Sequence, residues 1–246
     1  MPTWALITGG ALRIGKSLCQ QLHAHGYNVI VHYNNNGDAA HRLATSLNSI
    51  RPDSAATTQA DLADPNDIQR LIEHVNAHYP DLAVLINNAS VFYPNDMKQL
   101  AKQQIDDVLS VNLVAPITLA SGLSQVIGQQ QGAIVNLIDI HGDKPLAGHG
   151  LYSISKAGLK MATLTLAQEL APDVRVNGVS PGAILWPKEG SDEQISQVVN
   201  SIPLGKPGTV KDITDAVMFL VQAPYITGQV INVDGGRSAV GYQGAV

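Results

Sequence analysis

Cysteine is nearly absent. Cys19 is the only one in 246 residues, which excludes an intramolecular disulfide and any stabilisation from an oxidising compartment. Alone on the first expected helix, it reads as a small buried apolar side chain rather than a reactive thiol. Charge of one sign is also lacking. Fifteen Lys and Arg against twenty Asp and Glu leave a net charge of −5. The basic residues are scattered, so the field that would recruit nucleic acid or an anionic membrane is missing. No apolar run reaches the length of a membrane span, and Met1–Thr8 enters an apolar strand with no basic leader. The cytoplasm is therefore the expected location. No repeat, low-complexity tract or linker breaks the chain, whose length suits one α/β domain with a large core. A small neutral or anionic ligand remains as the expected partner.

What is present is an alternation. Apolar runs of strand length at Trp4–Ile7, Asn28–His32, Ala55–Gln59, Leu82–Asn87, Gly132–Ile138, Arg175–Val179 and Gln229–Val233 are separated by stretches of helical spacing. The helices are expected near 15–25, 38–49, 67–78, 102–127, 152–171, 192–200 and 211–221. Strands that are apolar throughout are covered on both faces. The pattern predicts an α/β fold: a Rossmann-like, doubly wound parallel sheet of about seven strands flanked by helices in three layers. Residues 182–191, with Trp186, Pro187 and Gly190, read as a loop, and the stretch to about 200 as the substrate side of the domain.

Residues 8 to 15, Thr8-Gly9-Gly10-Ala11-Leu12-Arg13-Ile14-Gly15, lie between the first strand and the first helix. Glycine in such a turn lets backbone N–H groups and the positive helix end approach a pyrophosphate. A tight turn with no ligand uses the same residues, and the strand-turn-helix context favours the phosphate. The second strand ends His32-Tyr33-Asn34-Asn35-Asn36, with no carboxylate to repel a 2′-phosphate, which favours NADPH over NADH. Asp61, followed by Leu62 after the third strand, suits an adenine amino group or an ordinary turn.

The chemistry is expected at the carboxyl edge of the sheet. Asn88, Ala89 and Ser90 follow the fourth strand there. Tyr152 and Lys156 are four apart, hence on one helix face. Reduction of a polar double bond needs a hydride on carbon and a proton on the adjoining nitrogen or oxygen. A phenol is a reluctant donor near neutrality, and a neighbouring ammonium is expected to lower its pKa. Lys156 also suits the nicotinamide ribose. Asn112, inside the long fourth helix, is either a packing residue or the holder of a water that resupplies protons to Lys156. Asp139 ends the fifth strand, either as a turn residue or, facing the same cleft, as an acid partner of Tyr152.

These motifs, with Ser180-Pro181-Gly182 and Ile226-Thr227-Gly228 before Asp234-Gly235-Gly236, resemble the short-chain dehydrogenase/reductase family over essentially the whole chain. Within it the sequence is most similar to the pteridine reductases, and also resembles the dihydromonapterin reductases. The likeness rests on Arg13 where relatives usually keep a glycine, on Asn87 to Pro94, and on Asp139 where most relatives use serine. It implies that Phe92 stacks a pterin whose other face lies on the nicotinamide. Arg13 would reach ligand and cofactor phosphates, Ser90 would bond pterin or cofactor, and Asp139 with Tyr152 would supply the proton. Gly9, Ile14, Gly15, Asn88, Ala89, Pro181 and Gly182 would border the cofactor, and Trp186 would wall the pocket or pin its loop. Leu12 and Asn34–Asn36 depart from the basic or hydroxyl residues that pteridine reductases place around the 2′-phosphate. The implied activity is reduction of a dihydropterin, extending to oxidised pterin or folate, by a homotetramer. The alternatives are a 3-oxoacyl thioester or small-ketone reductase, and a nucleotide-binding regulator without chemistry.

Overall fold

The computed structural model describes residues 2–185 and 192–239. The strands are β1 (Trp4–Ile7), β2 (Asn28–Tyr33), β3 (Ala55–Gln59), β4 (Leu82–Asn87), β5 (Ala133–Leu137), β6 (Arg175–Pro181) and β7 (Val230–Val233). They form one sheet, parallel throughout, in the order β3-β2-β1-β4-β5-β6-β7. Parallel neighbours require crossovers. These are supplied by α1 (Arg13–Ala24), α2 (Gly37–Ile50), α3 (Pro65–His78), α4 (Lys102–Leu109), α5 (Ala115–Gln129), α6 (Gly150–Glu169), α7 (Asp192–Asn200) and α8 (Val210–Gln222).

Alternate strand residues face opposite sides, and both sides are dry. Ala5, Ile7, Val29 and Val31 pack with Leu18, Leu22, Leu43 and Val217. Leu6, Ile30 and Leu85 pack instead with Ile68, Leu71, Leu119 and Leu123. Three layers follow, with α1, α2 and α8 over one face and α3 and α5 over the other. Each fully buried Leu or Ile contributes roughly 2 kcal/mol, so the two cores hold the layers. Cys19 lies in the first of them, its thiol donating to the Gly10 carbonyl at 3.6 Å. Burial pushes its pKa far up, so it stays protonated and inert.

The chain runs outward from β1 to β3 and then returns across β1 to β4. Ile7 is level with both Val31 and Ile86. That reversal opens a crevice at the carboxyl ends of β1 and β4, where ligands bind in open α/β sheets.

Beyond the two-residue early starts of α1 and α3, two helices differ from expectation. The single helix foreseen over 102–127 is broken by a π turn, Ser110–Val114, between α4 and α5. Its whole run, Lys102–Gln129, is long and apolar enough by composition to cross a membrane, which the sequence reading did not register. Leu119, Ala120, Leu123 and Ile127 on it are nonetheless fully buried, as in a core helix. The other shift is in α6, which begins at Gly150 and stops at Glu169, two residues early at both ends. Pro172 disfavours helical conformation at Ala171 and so fixes the stop.

Candidate active site

The loop after β1 is shaped by what cannot fit beside it. Gly9 has φ +62°, where a side chain is strained. A Cβ at Gly15 would lie 2.1 Å from the Gly9 carbonyl oxygen. The loop is also clamped. Thr8 Oγ1 accepts the Asn88 and Ala89 amides at 2.9 and 3.0 Å. Asn88 Nδ2 donates to the carbonyls of Thr8 and Gly9 at 2.8 and 3.2 Å. His32 Nδ1 accepts the Gly9 amide at 3.1 Å, and its other nitrogen lies 3.1 Å from the Ala60 carbonyl, to which it donates. A ring that accepts at one nitrogen and donates at the other is neutral, and burial pushes His32 down to about 4. Asn88 and His32 therefore hold the loop in place with their polar atoms. The open backbone between Gly9 and Gly15, at the start of α1, fits the pyrophosphate of a dinucleotide. Arg13 opens α1 at φ +51°, a left-handed geometry that glycine adopts without strain.

Across the crevice stand Tyr152, Asp139 and Lys156. The Tyr152 hydroxyl donates to Asp139 Oδ2 at 2.9 Å, while Asp139 Oδ1 accepts the His141 amide at 2.8 Å. Lys156 Nζ donates to the Leu137 carbonyl at 2.9 Å and lies 5.6 Å from the centre of the Tyr152 ring. Tyr152 and Lys156 are 7% and 2% exposed, so both are nearly dry. Burial lowers Lys156 to about 8, opposed by the charge of Asp139. The Tyr152 phenol moves opposite to expectation. Burial, then the charge of Asp139 and the hydrogen bond to it, raise its pKa. The ammonium does not reverse this, because the carboxylate is the nearer partner and favours the protonated phenol.

Phe92 is 52% exposed and meets Tyr152 edge-on, ring centres 4.8 Å apart. His149 stacks nearly parallel on it at 4.4 Å. Asn112, in the π turn, has its side chain fully engaged. Its oxygen accepts from Ser90 Oγ and the Val91 amide at 3.2 and 2.8 Å, and its nitrogen donates to the Val91 carbonyl and Ser155 Oγ at 3.0 and 3.2 Å. It binds the Ser90–Phe92 segment to α6. Asp61 Oδ1 accepts the Ala63 amide at 3.0 Å, a turn contact.

Gly9, Arg13, Ile14, Gly15, His32, Tyr33, Asn34, Asp61, Leu62, Asn88, Ala89, Ser90, Phe92, Asp139, Tyr152, Lys156, Pro181 and Gly182 line one cleft of about 660 Å³. Asn35 and Asn112 do not line it. Asn35 instead faces a second, polar recess with Tyr33, Asn34, Asp38, Gln59 and Arg42. Trp186 lies outside the described residues. Arg42, His149 and Arg237 are among the residues near these sites that the sequence did not point to. Arg42 is reached by one turn of α2, His149 precedes the α6 helix, and Arg237 follows β7. A proline-glycine loop before Tyr152 was the only available signal for His149.

A family model described as enoyl-(acyl carrier protein) reductase matches residues 10–238. The chain belongs to the short-chain dehydrogenase/reductase family. As a short-chain reductase it is similar to pteridine reductase 1 of Leishmania tarentolae, 33% identical over 95% of this chain and 96% of that protein. It is also similar to the 3-oxoacyl-[acyl-carrier-protein] reductase FabG of Staphylococcus aureus, 36% identical over 94% of this chain and 96% of the relative. That of Staphylococcus epidermidis is 35% identical over 94% and 97%. Oxidoreductase chemistry follows from the family, and its members use nicotinamide cofactors.

Proposed function

We propose that this short-chain reductase is an NADPH-dependent pteridine reductase that converts a dihydropterin to the tetrahydropterin. The observation that carries the reading is the 2.9 Å hydrogen bond from Tyr152 to Asp139. An ionised carboxylate only accepts hydrogen bonds. A ketone oxygen asks only for donors, and Asp139 offers it none. A pterin brings N–H and amino donors beside the ring nitrogen that takes the proton, so one O–H and one carboxylate suit its edge. The exposed ring of Phe92 supports stacking of a flat heterocycle.

When bound, the reduced nicotinamide supplies the hydride. Tyr152 delivers the proton to the ring nitrogen. Lys156, held by the Leu137 carbonyl, keeps an ammonium beside the phenol as negative charge develops on it. The cofactor preference is supported by the absence of a carboxylate in Tyr33–Asn36 and by the Arg42 guanidinium in the adjoining recess, which Asp38 shares. Arg42→Gln should raise KM for NADPH while leaving that for NADH unchanged.

The likeness to 3-oxoacyl reductases favours a second reading, reduction of 3-oxoacyl thioesters. Following NADPH oxidation with dihydrobiopterin and with an acetoacetyl thioester separates the two. Faster turnover of the thioester overturns the pterin reading, and turnover of neither revives the regulator. Intact Tyr152 and Lys156 argue for an enzyme. We place the enzyme in the cytoplasm as a homotetramer. Exposed Ile154, Met161 and Leu164 on α6, with Ile117 on α5, support burial of these helix faces by other copies.

A further inference from the structure

Arg237 is a charged group of the cleft that the reaction does not use. It follows β7 across Asp234-Gly235-Gly236, where the two glycines take φ +63° and +87° and turn the chain back over the carboxyl edge of the sheet. The turn is pinned. The Leu204 amide donates to Gly235 at 3.1 Å, and the Ala239 amide donates to Gly236 at 3.0 Å. The Asp234 carboxylate accepts the amides of Gly236 and Ser238 at 2.9 and 2.6 Å, so it serves the turn and not the arginine.

Arg237 is half-buried and lines the same cleft as Ile184, Leu185 and Val198. Its Nε donates to Ser201 Oγ at 3.1 Å, and among the described residues neither Nη group has a partner. A guanidinium carries five donors in a planar fork matched to a carboxylate. Half-buried and with no carboxylate partner among the described residues, it keeps donors that an anion in the cleft would take. The carboxylates of the same cleft are already engaged, Asp61 with the Ala63 amide and Asp139 with His141 and Tyr152. Arg13, the other guanidinium there, belongs to the phosphate loop.

We propose that Arg237 binds the anionic end of the substrate's side chain. The preferred substrate is then a dihydropterin whose substituent crosses the apolar wall of Ile184, Leu185 and Val198 and ends in a carboxylate. This deepens the pterin reading and rests on it. A neutral hydroxylated side chain leaves the fork unpaired.

The test is kcat/KM for dihydrofolate and for dihydrobiopterin at saturating NADPH, in the wild type, R237Q and R237K. R237Q is expected to lower the dihydrofolate-to-dihydrobiopterin ratio about tenfold or more, through KM. R237K restores part of it, because the charge remains and the fork is lost. Raising ionic strength lowers the same ratio in the wild type and in R237K, and not in R237Q. A ratio is insensitive to the fraction of folded protein, so poor folding of a variant does not mimic the effect. An unchanged ratio in R237Q overturns the tail contact and leaves the pterin reading standing. Failure of the wild type to reduce either pterin overturns both.

Discussion

Tyr152, in the first turn of α6, gives its phenolic hydrogen bond to Asp139, at the end of β5, across 2.9 Å. The carboxylate raises the phenol's pKa and so keeps the proton in place. An acid of this kind delivers its proton when negative charge forms on a ligand atom within its reach, and not to solvent beforehand.

Tyr152→Phe removes that proton and little else, since the ring and its contact with Phe92 persist. Turnover should fall by about 10² or more, with NADPH affinity retained by fluorescence titration. Near-normal turnover would remove Tyr152 from the mechanism.

Asp139→Ser exchanges an acceptor for a hydroxyl that also donates. Pterin turnover should fall and acetoacetyl thioester turnover rise, measured as NADPH oxidation with each. Parallel losses on both substrates would show that Asp139 only supports the fold. Removing the carboxylate also lowers the Tyr152 pKa, and ultraviolet titration of the phenolate reads that shift.

Phe92→Ala takes away the stacking surface that His149 supports from 4.4 Å. KM for the pterin should rise far more than KM for NADPH. Equal rises in both would count against stacking.

Arg13→Gly places glycine at φ +51° and should relieve about 1 kcal/mol of backbone strain. The melting temperature should rise while ligand affinity falls. Lower stability would mean that the arginine side chain holds the loop in the absence of ligand.

His32 links acid stability to the loop after β1. Its folded pKa of about 4 lies below the 6.5 of an ordinary imidazole, so the unfolded chain takes up the proton first. The stability it contributes is complete above pH 6.5 and is lost as pH falls towards 4, by about 3 kcal/mol. Denaturant unfolding across that window should show the slope, and His32→Asn should flatten it. An identical slope in the variant assigns the loss to other groups.

The sequence by itself determined the layers and two parts of the site. A strand covered on both faces must be apolar throughout, and helices announce themselves by their period, so the seven strands of the sheet were legible from Trp4 to Val233. Gly9 and Gly15 were legible because the turn tolerates nothing larger, and Tyr152 with Lys156 because a four-residue step joins one helix face. Helix ends were less so, since the sequence stays apolar through the π turn around Asn112 and does not mark the break. Only the tertiary structure decided that Asp139 accepts from Tyr152, that His149 backs Phe92, that His32 holds Gly9, and that Arg42 and Arg237 face the recess and the cleft. Those neighbours come from different elements, and periodicity records only which residues share an element's face. The strand order brings the elements to one edge, and it is burial there, with a carboxylate beside the phenol, that set the direction of the Tyr152 pKa.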